Sequence, residues 1–391
     1  MKLTSAPKLT ASMSESPLYQ AMGMGYTDNV FLVGHDSSLP LNEPFPVSSM
    51  QDAVDALEAN IDSPLLLALM EAYYSGARDI WLVAAAPLEE YEPDPESRDA
   101  SYYQNYQSAL IEAFDTLKYW ENAQITVPLE APFNSTVDFL GPLVNYCAEA
   151  FALSGEVHLG LLGTRGIITD EDVPAFLGDG RLGLNANGVS VLGEAGKFVS
   201  VFVGDGTYQL KELPIHHTTS VVAGLAGEMS QLPLDRGLTY HKMRNVINTP
   251  GPDLSRESIN QLAEARLNPV GRNLRGRRRN VPFEVISFTD NTLAWDGSDY
   301  WSTVATRLVA AVSAEVRSLG VRRLGTIGYD LFRKDVEEYL LNLGAQNVIR
   351  GYELFIDRDP TDRGRVLVEI VLEPYFGVRD LRVGVVVGPG Q

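Results

Sequence analysis

Apolar positions along this chain switch repeatedly between two periods. Asn29-Val-Phe-Leu-Val-Gly34, Asp79-Ile-Trp-Leu-Val-Ala84, Gln124–Leu129, Val157-His-Leu-Gly-Leu-Leu162 and Phe198-Val-Ser-Val-Phe-Val203 are apolar almost throughout and read as buried strands. Between them, apolar residues recur at helical spacing over Ser49–Leu57, Pro64–Ser75, Tyr103–Tyr119, Val137–Leu153 and Glu171–Leu177. Strands without polar alternation that take turns with helices predict a mostly parallel sheet covered on both faces. Thr219–Gln231 reads as the last helix of this α/β unit, and Pro233–Gly251 as a connector.

The pattern changes after residue 250. Ser255 can cap a helix running to Leu267, Phe283-Glu-Val-Ile-Ser-Phe288 is a strand, and Ser298 opens the most regular helix of the chain. That helix carries Trp301, Val304, Ala305, Leu308, Val312, Val316 and Leu319 on one face, with Gly320 as its expected stop. Asp330–Leu343 is one more helix, ending at Gly344. The strands Gly364–Glu373 and Val378–Val387 finish the chain, joined by Glu373-Pro-Tyr-Phe-Gly377, which lacks the Asn-Gly or Asp-Gly of a tight hairpin. A terminal strand can close its own sheet or add to the open edge of a neighbour.

The organisation expected is therefore an N-terminal arm (1–20, rich in Ser, Thr and Pro), a parallel α/β domain (21–250), a smaller α+β domain (251–377) and a C-terminal strand (378–391). At 391 residues there is ample length for a core of two or three domains. No apolar run is long enough to cross a membrane, and Met1-Lys-Leu-Thr-Ser-Ala-Pro7 lacks the apolar centre of a signal peptide. Cys147 is the single cysteine, which excludes an internal disulfide and points to assembly in a reducing compartment.

Charge narrows the partners. Residues 1–150 hold 5 basic and 22 acidic side chains, a net of −17, whereas residues 251–391 hold 19 of each. An acidic front half repels phosphate, so nucleic acid is not an expected partner. The one basic cluster is Arg272, Arg275, Arg277, Arg278 and Arg279, without the interleaved aromatics of a nucleic-acid patch. It reads either as a solvated loop or as a contact with an acidic face of another subunit.

The chemical motifs are sparse. Gly178-Asp-Gly-Arg-Leu-Gly183 fits G-x-G-x-x-G, but no strand directly precedes it and no helix follows; Gly160–Gly166 and Gly204-Asp-Gly206 read as turn glycines. His35, His158, His216, His217 and His241 show no metal-ligand spacing, and Cys147 reads as a small core residue. No catalytic, cofactor or metal residues are assigned.

The order of segments resembles that of the sheath proteins of contractile phage tails and related injection systems. The likeness rests on Tyr26–Gly34 followed by Pro40-Leu-Asn-Glu-Pro-Phe-Pro-Val-Ser-Ser49, on Ser63–Ala84 with its helix and strand, and on Ser220-Val-Val-Ala-Gly-Leu-Ala-Gly227. Asn268-Pro-Val270, the Trp301 helix and the Phe355–Val387 tail are similar to the C-terminal part of that family. The resemblance implies a subtilisin-like fold for the larger domain. The subtilase serine motif is not matched: aligning Val222-Ala-Gly224 with its V-A-G puts His216 where the serine belongs, and no Asp or His context completes a triad.

The resemblance further implies a structural subunit of a virion, assembled in the bacterial cytoplasm. Copies would form hexameric rings stacked around a tail tube, meet baseplate and tail terminator proteins, and contract to drive the tube through the host envelope. The exchanged strand would be Val378, Leu381, Val383, Val385, Val386 and Val387; Arg322, Arg323, Arg333 and Lys334 are the candidates for the tube contact, with a solvated helix end as the alternative. A soluble α/β hydrolase-like enzyme, or another virion structural protein, remains the competing reading.

Overall fold

The computed structural model describes residues 28–58, 60, 63–94, 97–120, 124–154, 156–178, 182, 193–210, 216–273, 284–294, 302–324, 328–358, 366–375 and 381–387. The N-terminal arm, Ser298, Trp301, Val378, Gly180 and Gly183, and Arg275, Arg277, Arg278 and Arg279 lie outside these residues.

The described residues begin with β1 (Val30–His35) and a two-residue β2 (Phe45–Pro46), then α1 (Met50–Ala56) and α2 (Pro64–Ser75). Both helices begin where the sequence places a serine: Ser49 Oγ accepts from the Asp52 amide and Ser63 Oγ from the Leu66 amide. There follow β3 (Ile80–Ala86), α3 (Ala100–Leu117), β4 (Ile125–Pro128), α4 (Leu140–Ser154), β5 (Leu159–Gly163), the short α5 (Val173–Leu177) and β6 (Val199–Val203). Next come β7 (Asp205–Tyr208), β8 (His217–Ser220), α6 (Val222–Gln231), β9 (Val246–Asn248), α7 (Arg256–Glu264), β10 (Asn268–Arg272) and β11 (Val285–Ser287). The chain finishes with α8 (Thr303–Leu324), α9 (Tyr329–Ala345), β12 (Ile349–Arg358), β13 (Val366–Pro374) and β14 (Leu381–Val387).

Eight strands form the main sheet in the order β11-β10-β6-β5-β4-β1-β3-β2. Every inner pairing is parallel, and only the edge strands β2 and β11 run antiparallel to their neighbours. The sheet is buried on both sides, as the unbroken apolar runs require: Phe31 and Val33 join one core with Leu110, Leu143 and Leu308, while Val30 and Leu32 join the other with Leu65, Leu69 and Leu225. On the second side α2 and α6 approach closely, because a Cβ on Gly227 would lie 2.2 Å from the Ala72 carbonyl oxygen.

Three differences from the sequence reading have physical causes. The main sheet does not end at residue 250: Asn268 and Pro269 pair in parallel with Phe202 and Val203, and β11 adds to β10. Thr219 and Ser220 belong to β8 rather than to α6, since β-branched Thr218 and Thr219 pair with Thr207 and Gly206 of β7. Gly320 does not stop α8, which continues to Leu324 with Gly320 buried inside it. A helical glycine costs about 1 kcal/mol, less than packing along such a helix returns. Gly204 does make the expected turn after β6, at φ +130°, but Asp205 and Gly206 already lie in β7.

The C-terminal unit is a three-stranded antiparallel sheet, β12-β13-β14, with α8 and α9 on one face. Its inward residues Val366, Val368, Ile370, Leu372 and Val385 share a core with Val312, Val316, Phe332 and Val336. The same core reaches the main sheet through Ala305 and Leu308, so α8 spans both units. The N-terminal turns of α8 are tied down by polar groups. Arg307, with a side chain 4% exposed, donates from Nε to Asp28 Oδ2 at 2.8 Å and from Nη2 to the Leu232 carbonyl at 2.8 Å. Asp290 accepts from the Thr303 hydroxyl at the head of the same helix.

Burial pushes the Asp290 carboxyl up to about 6, against the opposing pull of Thr303, the Leu238 amide and Arg307. A carboxyl raised on folding adds stability below its unfolded value near 3.8 and loses it as pH climbs through about 6. Asp290→Asn is therefore expected to gain on the wild type by about 3 kcal/mol between pH 4 and pH 7. Urea unfolding at both pH values checks this; a pH-independent difference contradicts it.

Candidate assembly surfaces

The terminal strand stands at the edge of its own sheet. β13 pairs antiparallel with β12 from Pro374↔Ile349 to Val366↔Arg358, and with β14 from Leu372↔Leu381 to Val366↔Val387. Alternation along β13 sends Val366, Val368, Ile370 and Leu372 inward and leaves Leu367, Glu369 and Glu373 exposed. Register puts Leu381, Val383 and Val385 opposite the inward residues, Val385 being 2% exposed, and Val386 opposite outward Leu367. Of the strand residues singled out in the sequence, all but Val378 thus lie in β14, and within one chain that strand closes its own sheet. Its outer edge pairs with nothing among the described residues.

The basic candidates separate. Arg322 and Arg323 stand in the last turn of α8, and Arg333 and Lys334 in the first turns of α9, so the chain brings the four to one helix junction. Arg333 is exposed and donates from Nε to Glu337 at 3.0 Å, one turn along the helix. Arg272 departs from the loop reading: it ends β10 and donates to Asp253 Oδ1 and to the Gly251 carbonyl, so its charge is held within the subunit.

A second polar region lies at the carboxyl ends of β4 and β5, the side of an open α/β sheet where ligands bind in many folds. A cleft of about 120 Å³ is lined there by Glu71, Glu130, Arg165, His217 and Ser220. His217 Nε2 and Glu71 Oε1 are 2.6 Å apart, and burial raises the Glu71 carboxyl despite this bond. Arg98, whose side chain is fully buried, donates from Nη1 to Glu130 Oε2 at 2.6 Å and lies over the rings of Tyr91 and Tyr102. Burial alone would raise the Glu130 carboxyl; Arg165 and Arg98 outweigh it and hold the group below the ordinary range. Asp205, buried beside Arg165 and bonded by the Gly166 amide, is pushed up by burial to about 6.

These groups do not form a protease centre. At the end of β1 the Asp36 carboxylate accepts from Ser63 Oγ at 2.7 Å, the residue that caps α2, rather than from a histidine. His216 is exposed and precedes β8, whereas α6 starts at Val222. The remaining histidines are engaged separately: His158 with the Tyr146 hydroxyl, His217 with Glu71, His241 with Glu228, and His35 stacked on Tyr106. Among the described residues no group of three or more His, Cys, Asp or Glu is arranged to hold a metal. Cys147 is buried, and burial pushes its thiol up. The Glu71–His217 and Arg98–Glu130 pairs escaped the sequence reading because their members are far apart in sequence and carry no local motif.

Glu130→Gln leaves Arg98 buried without a countercharge, an expected loss of about 3–5 kcal/mol at pH 7. Because folding depresses the Glu130 pKa, its contribution is present above the unfolded value near 4.5 and disappears as pH falls. The difference from wild type in urea unfolding should shrink at acid pH; an equal difference at both pH values contradicts the assignment.

No model of a known protein family matches the chain, and no curated protein matches its sequence. Solved structures do. A sheath tail protein of Listeria innocua superposes with a TM-score of 0.65 at 10% identity, over 95% of this chain and 98% of that one. A sheath tail protein of Desulfitobacterium hafniense gives 0.63 at 12% identity, over 94% and 97%. The helical sheath of the anti-feeding prophage in its contracted state gives 0.59 at 13% identity, over 95% and 96%. The chain therefore has the fold of sheath tail proteins across nearly its whole length.

Proposed function

We propose that this chain is the structural subunit of a contractile tail sheath. The observation that carries the reading is the length of the match: 94% and 95% of this chain superpose on 97% and 98% of two sheath tail proteins. Copies form hexameric rings that stack as a helical tube around an inner tail tube, bounded by baseplate and terminator proteins. The particle is a virion tail or a related injection machine, assembled in the bacterial cytoplasm. Contraction drives the tube through the host envelope by rigid-body rotation of subunits, with strand connections as hinges.

The N-terminal arm 1–20 and the strand Val378–Val387 link neighbouring copies by β-augmentation. Two features support this use of β14: it is an edge strand, and its connection to β13 is longer than a tight turn, so it can leave its own sheet without refolding β13. A replacement strand from another copy would meet the same inward register at Leu372, Ile370 and Val368. Arg322, Arg323, Arg333 and Lys334 are the proposed tube contact, since the α8–α9 junction gathers them at one end of two helices.

The role requires no chemistry, and the cleft supports that reading. Its carboxylates are occupied by Arg98 and His217, and Asp36 by the cap of α2. The deep pairs serve the rigidity a subunit needs when it transmits force.

Negative-stain microscopy of the purified protein should show hollow tubes or stacked rings; a monomer at every concentration overturns the proposal. Deleting residues 378–391 should abolish polymerisation. Because β14 also covers α8, the shortened chain should lose stability yet stay folded over the main sheet. Size-exclusion chromatography with unchanged assemblies would contradict the role of the strand.

A further inference from the structure

The outer face of the C-terminal sheet exposes large apolar side chains in a regular setting. Phe355 on β12 is 56% exposed and Leu367 on β13 is 38% exposed, while the opposite face of the same strands is packed on α8 and α9. Register gives each apolar residue an acidic partner across the ladder: Phe355 faces Glu369, and Leu367 faces Asp357. The next two rungs repeat the rule, Val371 with Glu353 and Gly351 with Glu373. The carboxylate changes strand at every rung, so the face is a checkerboard of acid and non-polar positions.

Directly paired residues on a sheet lie about 5 Å apart and diagonal ones about 7–8 Å, inside a Debye length of about 8–10 Å. The carboxylates therefore repel one another. Among the described residues Glu353, Glu369 and Glu373 form no ion pair. Arg382, on β14, takes the register position beside Val371. A face of this kind is relieved by a cover that brings cations spaced for a ladder and apolar groups for Phe355 and Leu367.

We propose that the cover is the arginine segment of a second copy, Arg275-Gly-Arg-Arg-Arg279, which joins β10 to β11. This deepens the sheath reading, on which it rests for the presence of neighbouring copies. In a chain of net charge −20 this is the one dense cationic stretch, with four arginines in five residues and no acid from Asn273 to Phe283. Guanidinium forks match carboxylates with two parallel hydrogen bonds, and the segment has enough of them to meet Glu353, Glu369 and Glu373. Leu274, Val281 and Phe283 flank the arginines and supply the apolar half. Arg272 takes no part, being bonded to Asp253. Face and segment are different stretches of one chain, so a contact between two copies leaves a free face and a free segment. A heterologous contact of this kind builds a closed ring or an open helical array, according to the rotation it imposes. Single exposed pairs contribute little, but a cluster shut away from water fixes register and partner.

Charge reversal and mixing test the pairing. One variant carries Glu353→Lys, Glu369→Lys and Glu373→Lys; the other carries Arg277→Glu, Arg278→Glu and Arg279→Glu. The sheet substitutions fall on exposed positions, and thermal unfolding followed by circular dichroism verifies that both variants fold. By sedimentation velocity each variant alone should stay monomeric to roughly tenfold higher concentration than wild type. An equimolar mixture should regain wild-type association, because each partner's face then meets the other's matching segment. Either variant associating like wild type overturns the proposal. So does a mixture that stays monomeric while both substitution sets in one chain restore association, since the contact is then internal. Wild-type oligomers that are not tubes refute the sheath function and leave this contact standing; a wild type that never associates refutes the contact.

Discussion

The buried pair between Arg307 and Asp28 is the constraint on which the two halves of the molecule depend. Asp28 sits immediately before the first strand of the main sheet, and Arg307 lies in the helix that carries the C-terminal sheet. Burying two charges is costly unless every donor is satisfied, and here the guanidinium also reaches the Leu232 and Arg236 carbonyls beyond α6. One side chain thus ties the approach to β1, the end of a central helix and the root of α8 to a single geometry. Asp290 adds a hydroxyl contact at the head of that helix. Apolar packing alone would allow α8 to slide along the sheet; the polar anchor removes that freedom.

A fixed α8 matters because it presents the C-terminal sheet. The strand that closes that sheet is held by a backbone ladder and by inward residues such as Val385, and on the proposed function a neighbouring copy would offer the same kinds of contact. On that proposal, intramolecular closure and exchange would differ chiefly in chain connectivity. That near-balance is what a lattice needs if it is to change shape without losing its links.

The charged cleft shows buried acids and bases engaged with one another at the end of the sheet. Its buried acids and bases are at the position where open sheets bind ligands, yet they pair with one another across long stretches of sequence. Arg98 bonds Glu130 beneath the rings of Tyr91 and Tyr102, which excludes water from the pair. The result stiffens the end of the sheet.

Much of the architecture was legible in the residues. Period and capping located the helices and the strands β1, β3, β4, β5 and β6 of the parallel unit, but not the short β2, β7, β8 and β9 or β10, because Ser49 and Ser255 cap helices locally and apolar runs of β length have few other uses. The acidic front half, the single cysteine and the missing serine-protease contexts were equally readable. Where local signals compete with packing, the sequence misled: Gly320 reads as a stop but is carried through by a helix packed along its length, and residue 250 reads as a boundary although β10 and β11 complete the sheet from beyond it. Long-range pairs such as Arg307–Asp28, Glu71–His217 and Arg98–Glu130 leave no spacing to detect. The checkerboard of carboxylates and apolar residues exists only in the register of β12 on β13. Local propensity and charge balance are properties of short segments, and the chain states them itself; pairing, register and burial are properties of distance in space, which only the tertiary structure assigns.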